Sequence, residues 1–253
     1  MYKISILGNG NLGYKFANII DSLDDFCLLE WYGRKWINDI IPKKGINDIE
    51  KLKKADLYIL AVSDSSIEGL SNYLDYKSFI VHCSGATSIS VFKNHARCGV
   101  LFPVQSISKS NHALFDETPF CIEAKNNADL NILKKLVINL NGTFMNFDSD
   151  QRAKIHLSAV WVNNFVNHMI YKGKKTCEEN NIPFSVLKPI IKNTINQTLT
   201  NDPFKIQTGP AIRNDKITIK NHCELLGNEI DKKLYKTITN SIQKSHDETK
   251  LQD

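Results

Sequence analysis

The stretch Tyr2-Lys3-Ile4-Ser5-Ile6-Leu7-Gly8-Asn9-Gly10-Asn11-Leu12-Gly13 decides how the rest of this 253-residue chain is read. Tyr2 to Leu7 is nearly continuous in apolar residues, as a strand covered by helices on both faces should be. Gly8 to Gly13 then spells G-x-G-x-x-G, and Tyr14 to Leu23 places Phe16, Ala17, Ile20 and Leu23 at helical spacing. Alone the hexapeptide is a weak signal, but between a strand and a helix it is a dinucleotide fingerprint. Gly8 makes the tight turn, Gly10 lets a pyrophosphate approach the backbone, and Gly13 allows the helix to pack closely on the strand. The free N–H groups and positive dipole end of the helix suit phosphates. Gly8, Asn9, Gly10, Asn11, Leu12 and Gly13 are therefore the first candidate cofactor residues.

The next strand, Phe26 to Tyr32, should end with an acid if an unmodified ribose is to be bound. It runs instead into Gly33-Arg34-Lys35, while Glu30 lies inside the strand, two or more residues too early. Arg34 and Lys35 stand where a 2′-phosphate would be, so the charge pattern favours NADP over NAD; the alternative is two solvated basic residues. Ala61-Val62-Ser63-Asp64 and His82-Cys83-Ser84-Gly85 close two further strands. Ligands of an open α/β sheet lie outside the carboxyl ends of its strands, which makes Val62, Ser63, Asp64, Ser84 and Gly85 candidate lining residues. Asp64 equally suits capping a helix from Ser65 to Leu74. His82 reads as a strand residue with a satisfied ring.

Strand-like runs at Leu57 to Val62, Phe79 to Cys83, Cys98 to Phe102, Phe120 to Ile122 and Thr143 to Phe147 alternate with helical stretches up to about residue 150. Such alternation means crossover connections and a mainly parallel sheet. Hydrophobic residues make up 42% and charged ones 23%, which excludes disordered and collagen-like chains. No apolar run approaches the roughly 20 residues that a bilayer crossing needs, and no membrane association and a cytoplasmic location are expected. A net charge of +5, thinly spread, gives no case for nucleic acid. The six cysteines form no C-x-x-C and no metal-like pairing with His, so reduced structural thiols and no metal are expected.

Beyond residue 150 the strands stop. Asp148, Ser149 and Asp150 offer helix caps, and Gln151 to about Asn180 contains no Pro. Leu157, Trp161, Phe165 and Met169 recur every fourth residue, the spine of a second domain. Later helices, punctuated by prolines, end in one from about Asn228 to His246, with a frayed tail from Asp247. The division expected is 1–149 for the sheet domain and 150–253 for the helical one.

With Gly8 to Gly13, Ala61 to Asp64, His82 to Gly85, Phe102-Pro103-Val104-Gln105, His156 through Asn164 and Thr208-Gly209-Pro210-Ala211-Ile212-Arg213-Asn214-Asp215, the chain resembles Rossmann-like proteins that carry a C-terminal domain of unknown function and are labelled NADP oxidoreductases. Their relatives include pyrroline-5-carboxylate reductase and the deazaflavin-dependent NADP reductases. The resemblance implies an α/β fold: a Rossmann domain, then an all-helical dimerisation domain like the C-terminal one of 6-phosphogluconate dehydrogenase, with a cleft between them. It implies a homodimer and a small, possibly anionic substrate, but names no reaction.

The residues add candidates for the chemistry. At about 100° per residue, Arg152, His156, Asn163 and Asn167 fall within roughly 60° of one another on the long helix, a polar stripe facing water or a cleft. Facing a cleft, His156 would protonate a carbonyl or imine product as hydride arrives. Asn163, or Asn164 on the adjacent flank, would hold the substrate. Arg213 is a candidate for a substrate carboxylate through its planar fork, or pairs with an acid in a structural loop. Gln105 faces the nicotinamide or stabilises its loop. Hydroxyacid dehydrogenases of related type place a Lys one turn before an Asn, and this chain does not: Ser158 follows Lys154, and Val160 follows His156. The leading expectation is an NADP-dependent oxidoreductase acting on a small polar carbonyl or imine; the alternative is a catalytically inactive NADP-binding sensor or scaffold.

Overall fold

The structure, a computed structural model, describes residues 1–34, 44–107 and 115–250, with side chains described to residue 247. Eight strands form one sheet: β1 (Tyr2–Leu7), β2 (Phe26–Tyr32), β3 (Gly45–Ile46), β4 (Leu57–Leu60), β5 (Phe79–His82), β6 (Arg97–Pro103), β7 (Pro119–Ala124) and β8 (Thr143–Asn146). Their spatial order is β3-β2-β1-β4-β5-β6-β7-β8. Every pairing is parallel except β6 with β7. The fold is thus Rossmann-like, with an antiparallel step and an edge strand added. The two-residue β3 is the strand that the sequence reading misses, being too short to show a period.

Helices α1 (Asn11–Ile20), α2 (Asp64–Ser71) and α3 (Asn127–Asn139) are the crossovers. Ile4, Ile6, Phe16, Ile20, Leu57, Ile59, Phe79, Val81, Leu133 and Val137 meet in the larger of two buried clusters. Leu7, Tyr58, Leu60, Ile67, Ile80 and Phe92 form the smaller one. Strand order reverses between β1 and β4, so the glycine loop after β1 opens at the switch point where such sheets bind ligands.

The helical part comprises α4 (Ser149–Ala159), a π-helical stretch (Val160–Phe165), α5 (Val166–Glu179), α6 (Lys188–Thr200), α7 (Lys216–Leu225) and α8 (Glu229–Lys250). Asp148 caps α4 in a capping box with Gln151, as the sequence suggests. The final helix runs to Lys250, further than the fray expected from Asp247. By compactness the chain divides into Met1–Met169 and Ile170–Asp253.

Two sequence expectations about the long helix need correction. A π turn closes hydrogen bonds from i to i+5, so it sets later residues back by about one position, or roughly 100°. The stretch at Val160–Phe165 therefore breaks the stripe of Arg152, His156, Asn163 and Asn167 into two pieces. Arg152 is fully buried, His156 half-buried, and Asn163 and Asn167 exposed. Nor do Leu157, Trp161 and Phe165 form a buried spine in the single chain, because all three are exposed.

Candidate functional site

The first three turns of chain geometry around β1 are fixed by what glycine lacks. Gly8 has φ +117°, and a Cβ there would stand 2.1 Å from the Ala61 carbonyl oxygen. A Cβ on Gly13 would stand 1.9 Å from the Gly8 carbonyl oxygen, so only hydrogen lets α1 settle this close to β1. At Gly10 the same construction meets nothing within 4 Å among the described residues, which leaves the backbone open to an approaching group. These are the three separate roles that the fingerprint assigns. The loop is held from both sides, Gly8 N–H donating to Tyr32 at 2.9 Å and Ala61 N–H to Leu7 at 2.8 Å. Trp31 Nε1 donates to the Gly8 carbonyl at 2.8 Å.

The first intrahelical bond of α1 is Tyr14 N–H to Gly10, so the N–H groups of Asn11, Leu12 and Gly13 come before the helical ladder. No acid lies in this first turn and no side chain caps it. Among the described residues the first turn thus offers no anion of its own to the positive end of the helix.

A cavity of about 270 Å³ opens on this loop. Gly8, Asn9, Gly10, Arg34, Val62 and Ser63 line it, six of the residues expected from sequence. Tyr32, Gly33, Ser66 and Leu70 line it too and were missed; Ser66 shares a hydrogen bond of 2.9 Å with Ser63. Helical spacing from Ser63 puts Ser66 and Leu70 on one face of α2, a signal available in the sequence. Gly33 has its own reason, since a Cβ there would come within 2.6 Å of the Asn9 amide. Lys35 lies outside the described residues. Glu30 is buried, paired with Lys53 and accepting from the Lys53 N–H at 2.7 Å, and takes no part in the cavity.

Other expected residues stand around this cavity rather than in its lining. Leu12 packs against the core, while the Asn11 amide donates to the Ile107 carbonyl at 3.1 Å. Asp64 is the exposed first residue of α2, behind Ser63 at the cap position. The Ser84 hydroxyl is occupied by its own turn, accepting from Ala86 and Thr87 N–H at 3.1 and 2.9 Å. Gln105 accepts from Lys15 Nζ at 3.2 Å, which ties the loop after β6 to α1. Lys15 itself is 6% exposed, lies over the Phe115 ring, and has its pKa lowered by burial. Sequence reasoning passed it over, although Leu12, Lys15 and Ile19 share one face of α1.

A second cluster forms at the carboxyl end of β5. His156 lies against Gly85, where a Cβ would be 2.7 Å from its Cγ and 2.8 Å from Nδ1. The ring meets Phe102 edge to face at 5.7 Å. With Cγ and Nδ1 turned to Gly85, Nε2 is the opposite vertex of the imidazole. One turn earlier, Arg152 locks α4 in place. Its guanidinium binds the Glu123 carboxylate, the Thr87 carbonyl and Ser149 Oγ, and Ser149 Oγ donates to Glu123 at 2.9 Å. Beneath it His82 is wholly buried; its Nδ1 accepts from Ser84 N–H at 3.2 Å, but Nε2 has no partner among the described residues. Ser84 thus satisfies one nitrogen, and the Ser88 backbone also acts on the ring, favouring its proton. Burial, helped by the Arg152 charge, pulls its pKa down to about 3 and keeps it neutral.

Asn163 and Asn164 are exposed on the π-helical stretch. Arg213, in the second unit, is exposed on the turn before α7. It is not in a close ion pair with Asp215, whose carboxylate caps α7 by accepting from Thr218 N–H at 3.0 Å and Oγ1 at 2.7 Å. Those bonds, more than the Arg213 charge, hold the Asp215 pKa below the usual carboxylate value.

Fold and loop together define a Rossmann-like protein with a helical C-terminal part. Residues 118–242 match the family described as a domain of unknown function, DUF2520. The match starts at β7 and so takes in the last strands as well as the helices. A Bacteroides fragilis protein described as a "putative NADP oxidoreductase" is 29% identical, with a TM-score of 0.84 over 96% of this chain and 98% of that one. Pyrroline carboxylate reductase from Plasmodium falciparum, solved with NADP bound, is 13% identical with a TM-score of 0.58, over 96% and 98% of the two chains. The reductive aminase from Aspergillus terreus, in complex with NADPH and ethyl-5-oxohexanoate, is 10% identical with a TM-score of 0.69, over 98% and 94%. The last two likenesses are of fold. No curated protein matches. The resemblance read from the sequence therefore holds, both in the sheet domain and in the domain of unknown function.

Proposed function

We propose that this chain is an NADP-dependent oxidoreductase that transfers a hydride between nicotinamide and a small polar carbonyl or imine compound. The observation that carries the reading is the glycine loop, whose three glycines have the separate geometries that a pyrophosphate cradle needs, with Arg34 on the wall of the same cavity. The Bacteroides fragilis likeness supports it. The cofactor would supply the hydride. Gly8, Asn9, Gly10 and the free N–H groups of α1 would hold its phosphates, and Arg34 its 2′-phosphate. The likeness to the reductive aminase fold supports a carbonyl or imine substrate.

His156 is assigned to the proton. Its contact with Gly85 and Phe102 fixes the ring plane, and Nε2 on the outer edge gives or takes a proton at the substrate heteroatom. Arg152 positions that helix through Glu123 and Thr87 without touching substrate. Asn163, Asn164 and Arg213 are assigned to substrate, Arg213 to a carboxylate if one is present. Gln105 keeps its loop on α1 by its oxygen, which leaves its NH₂ for the ligand. We further read the protein as a homodimer, supported by the exposed apolar residues of the helical part, and as cytoplasmic, supported by six free thiols.

Fluorescence titration of nucleotide-stripped protein with NADPH and with NADH tests the reading. NADPH is expected to bind more tightly, and Arg34→Ala to weaken NADPH by about ten- to hundred-fold, the worth of a charge-assisted hydrogen bond, while changing NADH little. Binding of neither dinucleotide overturns the reading. Tight NADPH binding without turnover on carbonyl and imine panels favours the sensor alternative, which the absent Lys-to-Asn pair supports.

A further inference from the structure

The helical unit holds a second cavity, of about 370 Å³, between α7 and α8. Lys216 and Lys220 reach it from α7 and Lys236 from α8, and the amides of Asn214, Asn240 and Gln243 complete its polar lining. Thr239, 7% exposed, lies on its wall. Among the described residues no carboxylate lines it. Gln243 Nε2 donates to Asn214 Oδ1 at 3.2 Å, so the rim is braced between α8 and the turn before α7.

Lys216, Lys220 and Lys236, all exposed, put three positive residues on the lining of one cavity, two of them at i and i+4 on the same helix, an unfavourable arrangement for like charges. Of the acids close by, Glu229 is the one that also feels the Lys236 charge, and each has a partner of its own. Asp215 caps α7, Glu229 pairs with Lys232 at 2.9 Å, and Asp231 pairs with Lys172. Glu224 meets Lys220 only at 3.8 Å. Among the described residues Lys216 and Lys236 make no ion pair. The sequence places this positive cluster beside Asn214, the residue in left-handed conformation (φ 52°) that stands next to last in the Thr208 to Asp215 motif. The dinucleotide reading uses none of it.

We propose that this cavity binds a small polyvalent oxyanion, a phosphate monoester or a di- or tricarboxylate, held by Lys216, Lys220 and Lys236 with the neighbouring amides as further donors. Its volume is in the range of small-ligand pockets. Three positive charges match an anion carrying two or three negative ones, and amide donors suit oxygen acceptors.

The test is calorimetric titration of the full chain with inorganic phosphate and with citrate, set against sodium chloride at matched ionic strength. Phosphate or citrate is expected to bind saturably, chloride not. The double substitution Lys216→Gln with Lys236→Gln is expected to weaken that binding by about tenfold or more, as loss of charge-assisted bonds should. Lys216→Arg with Lys236→Arg, which keeps both charges, should retain it, and NADPH affinity should be the same in all forms. Binding that survives the double substitution but is displaced by NADPH assigns the anion to the glycine loop and overturns the proposal. So does a chloride response equal to that of phosphate. A double variant that self-associates less, in a protein that shows no anion response, assigns the lysines to carboxylates of a second copy and overturns it as well.

Discussion

In the first unit Ile4, Ile6, Phe16, Leu57, Phe79 and Leu133 are fully buried, whereas in the second only Cys177, Ala211 and Thr239 are buried among the described residues. The second unit is not short of apolar side chains. Tyr171, Val186, Ile190, Leu199, Ile217, Leu225 and Ile230 are there, each more than half exposed. A twisted sheet supplies both faces of a core for its own crossover helices, while a few long helices joined by short turns present more apolar surface than they cover. Exposed apolar surface on this scale marks an interaction face. The contrast suggests that the first unit is stabilised from within and the second by what it meets.

The largest expected effect probes the first half of that comparison. Arg152→Met leaves the Glu123 carboxylate without its cation at a largely buried position, and should destabilise the protein by about 3–5 kcal/mol in chemical denaturation. Adding Glu123→Met should recover most of that loss, because the penalty lies in the orphaned charge. The loss should be the same at low and high protein concentration. A concentration-dependent loss would mean that the sheet unit also leans on a partner.

The second half breaks more easily. If α6 and its neighbours are covered by a second copy, thermal stability of the native chain rises with protein concentration. Ile190→Asp, at an exposed site on α6, should then shift the protein to monomer in light scattering and remove about 1.5–3 kcal/mol per copy, the worth of a buried aliphatic side chain. A monomeric native chain whose stability ignores both concentration and the substitution would end the comparison in this form.

How far the sequence could be read follows the same divide. The glycine loop was legible because residue identity itself carries its geometry: only glycine tolerates φ +117° at position 8 or contact with a carbonyl at position 13. Arg34 was legible because it follows a strand end. The π-helical stretch was not, since Val160 to Phe165 contains nothing that distinguishes i+4 from i+5 bonding, and one displaced turn was enough to break a stripe computed at constant pitch. Arg152 and Lys15 were misread or passed over for one reason. A charged residue reads as surface until its partner is known, and Glu123 and Gln105 lie 29 and 90 residues away. The seat of His156 on Gly85 is likewise a long-range contact, invisible to any local pattern.

His82 gives the smallest expected effect at neutral pH and the sharpest test of the self-contained sheet unit. Its folded pKa, about 3, lies below the ordinary 6.5, because burial and the nearby Arg152 charge oppose protonation. Below pH 6.5 the unfolded chain therefore takes up a proton that the folded chain refuses. The stability linked to His82 is present in full above 6.5 and declines as pH falls from there toward 3, by about 1.4 kcal/mol per pH unit. Asn in its place keeps an acceptor near the Nδ1 position for Ser84 N–H but does not titrate. His82→Asn is expected to lower stability at neutral pH through the space it leaves, and yet to flatten the acid limb. The informative quantity is the slope between pH 6.5 and 3, not the absolute stability. An unchanged slope would place the acid sensitivity elsewhere, and would show that the His82 pocket admits water and a proton more freely than its burial suggests.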